Sequence, residues 1–105
     1  MTTEKLTHPV VKAAIEALAQ HNLKNWQALF TADVELYDDG SPRDFKHFTI
    51  DAIGHEWFTS IDKVDENGLA VFGHFHSDTW GDFKTFFRFQ ITAEGKISRL
   101  DIGQA

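Results

Sequence analysis

From His55 onward the chain alternates aromatic and β-branched residues, broken by three short turn signals: Glu66-Asn67-Gly68, Thr79-Trp80-Gly81-Asp82 and Ala93-Glu94-Gly95. A period of two places successive side chains on opposite faces of a sheet, and tight turns make successive strands antiparallel neighbours. Four strands are predicted, from His55 to Val64, Leu69 to Ser77, Phe83 to Ile91 and Lys96 to Gly103. The first half has a different period. From Thr7 to Gln20, Val10, Val11, Ala14, Ile15 and Leu18 recur at helical spacing behind a Thr-His-Pro cap signal, and Trp26, Leu29 and Phe30 define a shorter helix from Lys24 to Phe30. A strand from Asp33 to Asp38 follows, and a third helix from Arg43 to Ile53 stops at Gly54. Helices first and a mostly antiparallel sheet afterwards give an α+β class with the helices on one sheet face.

At 105 residues, without internal repeat or linker, the chain is expected to be a single domain spanning 1–105. It has no cysteine, which excludes disulfides, thiolate metal sites and a cysteine nucleophile. Sixteen acidic residues against ten basic ones give a net charge of -6, a field that disfavours nucleic acid. No apolar run reaches membrane length and no signal sequence follows the start, so a cytoplasmic protein with neither a membrane nor a nucleic-acid partner is expected. No phosphate loop, dinucleotide fingerprint or nucleophile elbow occurs, and no cofactor is expected.

Ten phenylalanines and three tryptophans are a large aromatic volume for this length. Pairing parity assigns them to faces. Turns pairing residues of opposite parity would set Trp57, Thr59, Phe72, His74, His76, Phe83, Thr85, Phe87 and Phe89 on one face and Phe58, Val71, Phe75 and Phe86 on the other. If the helices cover the first face, the second is a bare apolar patch, and a homodimer through this outer sheet face is expected.

The helical hairpin, the run Leu29-Phe30-Thr31-Ala32-Asp33-Val34, the third helix, and the strands holding Phe87-Arg88-Phe89 and Gly95-Lys96-Ile97 resemble the nuclear transport factor 2-like (NTF2-like) superfamily, in particular small SnoaL-like and ketosteroid isomerase-like members. The resemblance implies a cystatin-like cone, with N-terminal helices packed on a curved sheet around an open mouth. It also implies a small, mainly apolar ligand and a cofactor-independent isomerase, cyclase or hydratase reaction. Asp38 matches the isomerases' catalytic aspartate, whereas Ala14 and Thr85 stand where the enolate-stabilising tyrosine and carboxylic acid would be. SnoaL-like cyclases also use an acidic acid/base, a requirement Asp38 meets.

His74 and His76, two apart on one strand, project to the same side. With Asp38 they form the candidate acid/base set, and Trp57, Thr59, Phe72, Phe83, Thr85, Phe87 and Leu100 form the candidate ligand lining. Two histidines with Asp38 or Asp78 resemble a facial triad, but nothing fixes a third ligand, and no metal is expected. The alternative is a non-catalytic binding or self-association module whose cone is filled by its own aromatics, those residues being plain core.

Overall fold

A computed structural model describes residues 3–105. Helix α1 (Pro9–Ala19) starts where the His8 ring accepts a hydrogen bond from the Val10 amide at 3.2 Å, with Pro9 in the first turn, where its missing N–H is no loss. Asn22 caps α2 (Leu23–Ala28) and Asp44 caps α3 (Phe45–Ala52), each side-chain oxygen accepting an amide three residues on. The strands are β1 (Phe30–Asp38), β2 (Ser41–Arg43), β3 (Glu56–Asp65), β4 (Ala70–Ser77), β5 (Gly81–Ile91) and β6 (Ile97–Gln104). They form one sheet in the order β2-β1-β6-β5-β4-β3, antiparallel throughout except for the parallel pair β1 and β6.

Two of the differences from the periodicity have a clear structural cause. Strand β1 takes Phe30 from the expected second helix because Phe30 pairs with Ile97 of β6, and the Ile97 amide donates to the Leu29 carbonyl at 2.8 Å. Arg43 lies in β2, folded back on β1 by an Asp39-Gly40 turn in which both residues have positive φ, 50° and 84°. A three-residue strand is too short to show a period.

The helices cover one face of the sheet. Val11, Ala14, Ile15 and Leu18 of α1, Trp26 of α2, and Phe48 and Ala52 of α3 are buried against Phe58, Val71, Phe87, Phe89, Ile97 and Leu100. The Trp26 indole donates to the Thr49 hydroxyl at 3.0 Å, which ties α2 to α3 and satisfies both buried polar groups.

The expected division of the sheet faces is corrected. The loop between β4 and β5 holds three residues, Asp78 to Trp80, and closes on the pair Ser77 and Gly81. An odd loop inverts the alternation that a two- or four-residue turn would transmit. Phe58, Val71 and Phe75 therefore point inward beside Phe87, whereas Trp57, Phe72, His74 and His76 share the outer face with Phe86. The pairing of β3 with β4 also shifts twice, between Phe58 and Ser60 and between Ile61 and Lys63. At that irregularity only glycine fits position 73, because a Cβ there would run into the Ser60 carbonyl oxygen.

The premise of a bare apolar outer face goes with that correction. Three of the outward aromatics are capped by cations of the same chain: Lys63 lies 5.4 Å from the Phe72 ring, Arg88 5.0 Å from Phe86 and Arg99 4.1 Å from Tyr37.

Candidate functional site

Between α3, the ends of β1 and β6 and the β4–β5 hairpin, the helices leave the inner face uncovered, and a cleft of about 560 Å³ opens there. Phe48, Phe75, Phe83, Phe87 and Trp80 supply its apolar walls, and Asp38, Asp39, Arg43, Glu56 and Thr85 supply its polar groups. That volume and mixture suit one small organic molecule.

Each polar group has a definite local origin. Asp38 ends β1 and meets Arg43 across the β1–β2 hairpin, Nη1 to Oδ2 at 2.9 Å. The guanidinium also reaches Asp51 of α3 at 3.3 Å and lies 5.1 Å from the Phe48 ring centre. Arg43 is thus held from three sides. Glu56 opens β3, and its Oε2 accepts a hydrogen bond from the Ser77 hydroxyl at 2.9 Å. The Ser77 oxygen in turn accepts from the amides of Thr79 and Trp80, at 3.2 and 3.1 Å. The Thr85 hydroxyl donates to the carbonyl of Gly103, which also lines the cleft, at 2.6 Å.

Burial raises the pKa of Glu56 above the usual carboxylate value, because removal from water penalises the charged form. The Ser77 hydrogen bond and the Arg43 charge oppose the rise, while Asp51 and Asp38 add to it. A carboxyl moved towards neutrality beside an open apolar space can donate a hydrogen bond when protonated and accept one when ionised.

The cleft brings together four of the residues expected from the sequence: Asp38, Phe83, Thr85 and Phe87. Leu100 is fully buried in the core and does not line the space. Trp57, Thr59, Phe72, His74 and His76 lie on the other side of the sheet, so the expected cluster of Asp38 with two imidazoles does not form; the three-residue loop is the reason. His74 instead pairs with Asp62 at 3.0 Å, and His76 with Asp78 and Asp82. Glu56 and Arg43 were not found from the sequence. Glu56 becomes visible once Phe58 is placed inward, since residues two apart on a strand share a face. Among the described residues, no group of three or more histidine, aspartate or glutamate side chains is arranged to hold a metal ion, and no helix is long and apolar enough to cross a membrane.

No family model matches the chain, and no curated protein matches it in sequence. Solved structures do match. An NTF2-like protein of unknown function from Cytophaga hutchinsonii superimposes with a TM-score of 0.78 at 15% identity, covering 100% of this chain and 95% of that one. A candidate polyketide cyclase from Sinorhizobium meliloti gives 0.76 at 15% identity, covering 97% and 99%. The orange carotenoid protein of Anabaena, in a structure binding canthaxanthin, gives 0.75 at 17% identity, with 97% of this chain matching 37% of that longer one. Identities this low speak to backbone architecture, and on that evidence the chain has the NTF2-like fold.

Proposed function

We propose that this protein binds a small, mainly apolar molecule in the cleft, its apolar body against the aromatic walls and a polar end towards Glu56, Asp38 and Arg43. The observation that carries this reading is the coexistence, in one space of about 560 Å³, of five aromatic side chains and a few polar groups. A cone filled by its own aromatics would leave no such volume. The fold neighbour that binds canthaxanthin, a carotenoid, supports an apolar ligand on this scaffold. The test is amide chemical-shift mapping with a panel of aromatic and isoprenoid alcohols and ketones. Saturable shifts at Glu56, Thr85 and Phe87 are expected, with affinity at least fivefold weaker in Glu56→Gln for members whose polar end reaches it. Shifts confined to other surfaces would overturn the reading.

A second reading, cofactor-independent proton transfer on the bound molecule, is favoured by one observation: the raised pKa of Glu56 beside the open space. Glu56 is then the acid/base, and Asp38, whose Oδ2 is engaged by Arg43, orients the guanidinium towards the polar end. This is the chemistry of an isomerisation, cyclisation or hydration, and general acid/base catalysis of that kind contributes roughly 10²- to 10⁴-fold. A loss of that size in Glu56→Gln with ligand affinity reduced by less than tenfold is the expected result. Unchanged turnover would remove the role.

A further inference from the structure

His76 stands at the outer end of β4, just before the loop that carries Trp80. Both of its ring nitrogens are engaged: Nε2 lies 2.7 Å from Asp78 Oδ1, and Nδ1 lies 2.7 Å from Asp82 Oδ1. A neutral imidazole has one N–H and would turn a lone pair towards one of these carboxylates; an imidazolium donates to both. The two aspartates bracket Thr79-Trp80-Gly81, so the ring spans the base of the loop like a clasp. On the inner side the same loop is tied by the Ser77 hydroxyl, which links the Thr79 and Trp80 amides to Glu56. Trp80 is 78% exposed yet forms part of the cleft wall, so its position depends on the loop rather than on packing.

We propose that His76, when protonated, is a positioning residue for the cleft: by bridging Asp78 and Asp82 it holds Trp80 at the mouth, and ligand retention becomes proton-linked. The consequence for retention rests on the cleft being a ligand site; the positioning of Trp80 does not. Hydrogen bonding to Asp78 first, and to Asp82 second, raises the His76 pKa above its ordinary 6.5. Other titratable groups surround the clasp. His55 shares Asp78 at 3.1 Å, and the Trp57 ring that packs on His76 at 4.7 Å also stacks with His21 at 5.2 Å. His74 and its cross-strand partner Lys84 lie two residues further along. Because the folded-state pKa is raised, the clasp is closed at lower pH and opens as the pH rises through that raised value.

The test uses the full chain labelled with 5-fluorotryptophan, whose three fluorine resonances are assigned with Trp80→Phe and Trp57→Phe. Trp80 reports the loop; Trp57 packs on both His76 and His21, and the part of its response that is lost in His76→Gln reports the His76 ring. In the wild type both resonances are expected to titrate with one midpoint above 6.5. Dissociation of the neutral dye Nile red from the cleft should be at least threefold faster on the alkaline side. In Asp82→Asn, Trp57 should still titrate while Trp80 stays flat, and in His76→Gln both the Trp80 transition and the pH dependence of dye release should vanish. A flat Trp80 resonance in the wild type, or a Trp80 transition that survives His76→Gln, would overturn the proposal. Failure of the dye to bind in the cleft counts against the ligand-binding reading alone, since the fluorine titration still decides the role of His76.

Discussion

The two faces of the sheet at the β4–β5 hairpin carry the same kinds of groups and use them differently. On the inner face Glu56 meets Ser77, with Asp38 and Arg43 nearby; on the outer face His76 meets Asp78 and Asp82. Glu56 is perturbed chiefly by burial and His76 chiefly by hydrogen bonding. The residues involved are sequence neighbours, Ser77 beside His76 and Glu56 beside His55 and Trp57, so environment rather than composition separates them. Strand alternation does the sorting. One residue more or less in a loop decides which neighbour is enclosed and which is wet.

The sharpest way to break this contrast is to truncate aromatics on the two sides of a single strand. Phe75 is 4% exposed and packs on Phe58, Phe83 and Phe87, whereas Phe72 is only partly buried and lies under Lys63. Phe75→Ala is expected to cost about 3–5 kcal/mol, the range for emptying a packed aromatic site. Phe72→Ala should cost about 1 kcal/mol, from partial burial and an exposed cation–π contact. Denaturant unfolding of both variants measures the difference. Equal costs would mean that the face assignment is wrong.

The next effect concerns the buried side-chain hydrogen bond between helices α2 and α3. In Thr49→Val the size of the side chain is kept, but the Trp26 indole N–H is left inside the core without an acceptor. The expected loss is about 1–3 kcal/mol, the cost of an unsatisfied buried donor. In a Trp26→Phe background, where no indole donor is left unsatisfied, Thr49→Val should cost less than in the wild type, as a double-mutant cycle would show.

These residues also show what the sequence could and could not convey. Helix α1 was legible because five apolar positions repeat at 3.6 residues behind a proline, and the four C-terminal strands were legible because aromatic alternation is regular and glycines mark the turns. The side to which those strands face was not, since Thr79-Trp80-Gly81-Asp82 is compatible with loops of either parity, and closure on Ser77 and Gly81 follows from the sheet as a whole. The site inherited that ambiguity. Asp38, Phe83, Thr85 and Phe87 lie on β1 and β5, on the cleft side of that loop, and were placed together. His74, His76, Trp57, Thr59 and Phe72 lie on β3 and β4, beyond the loop, and all five fall on the opposite face from the one expected. Arg43 was hidden for another reason: β2 is three residues long and depends on a turn with two positive φ values.

A smaller effect comes from pH, and substitutions on the two faces expose it with opposite signs. Glu56 has a raised folded-state pKa, so the stability tied to its protonated form is present below the unfolded value of 4.5 and is lost as the pH rises through the folded value. Glu56→Gln should remove that loss, making the variant the more stable protein at neutral pH while the two converge in acid. Thermal unfolding across pH 4 to 8 checks the sign. On the outer face, where both aspartates favour the charged ring, His76→Gln should instead lower stability at acidic pH and approach the wild type as the pH rises past the raised histidine value.

The smallest expected effect tests whether outer-face ion pairs hold the sheet together at all. Arg88 reaches Glu66 at 2.7 Å, a good geometry, but the side chains are 45% and 50% exposed. Their attraction acts through water and opposes the entropy of two long side chains, so a double-mutant cycle should give about 0.2–1 kcal/mol. It should fall further at 1 M salt, where the screening length is about 3 Å. The Arg88 guanidinium also covers the Phe86 ring at 5.0 Å, a contact that Glu66→Gln leaves in place. Arg88→Ala should therefore cost more than Glu66→Gln, and the excess should persist in high salt, because covering an aromatic ring depends on the packed stem and planar head of the arginine as well as on its charge.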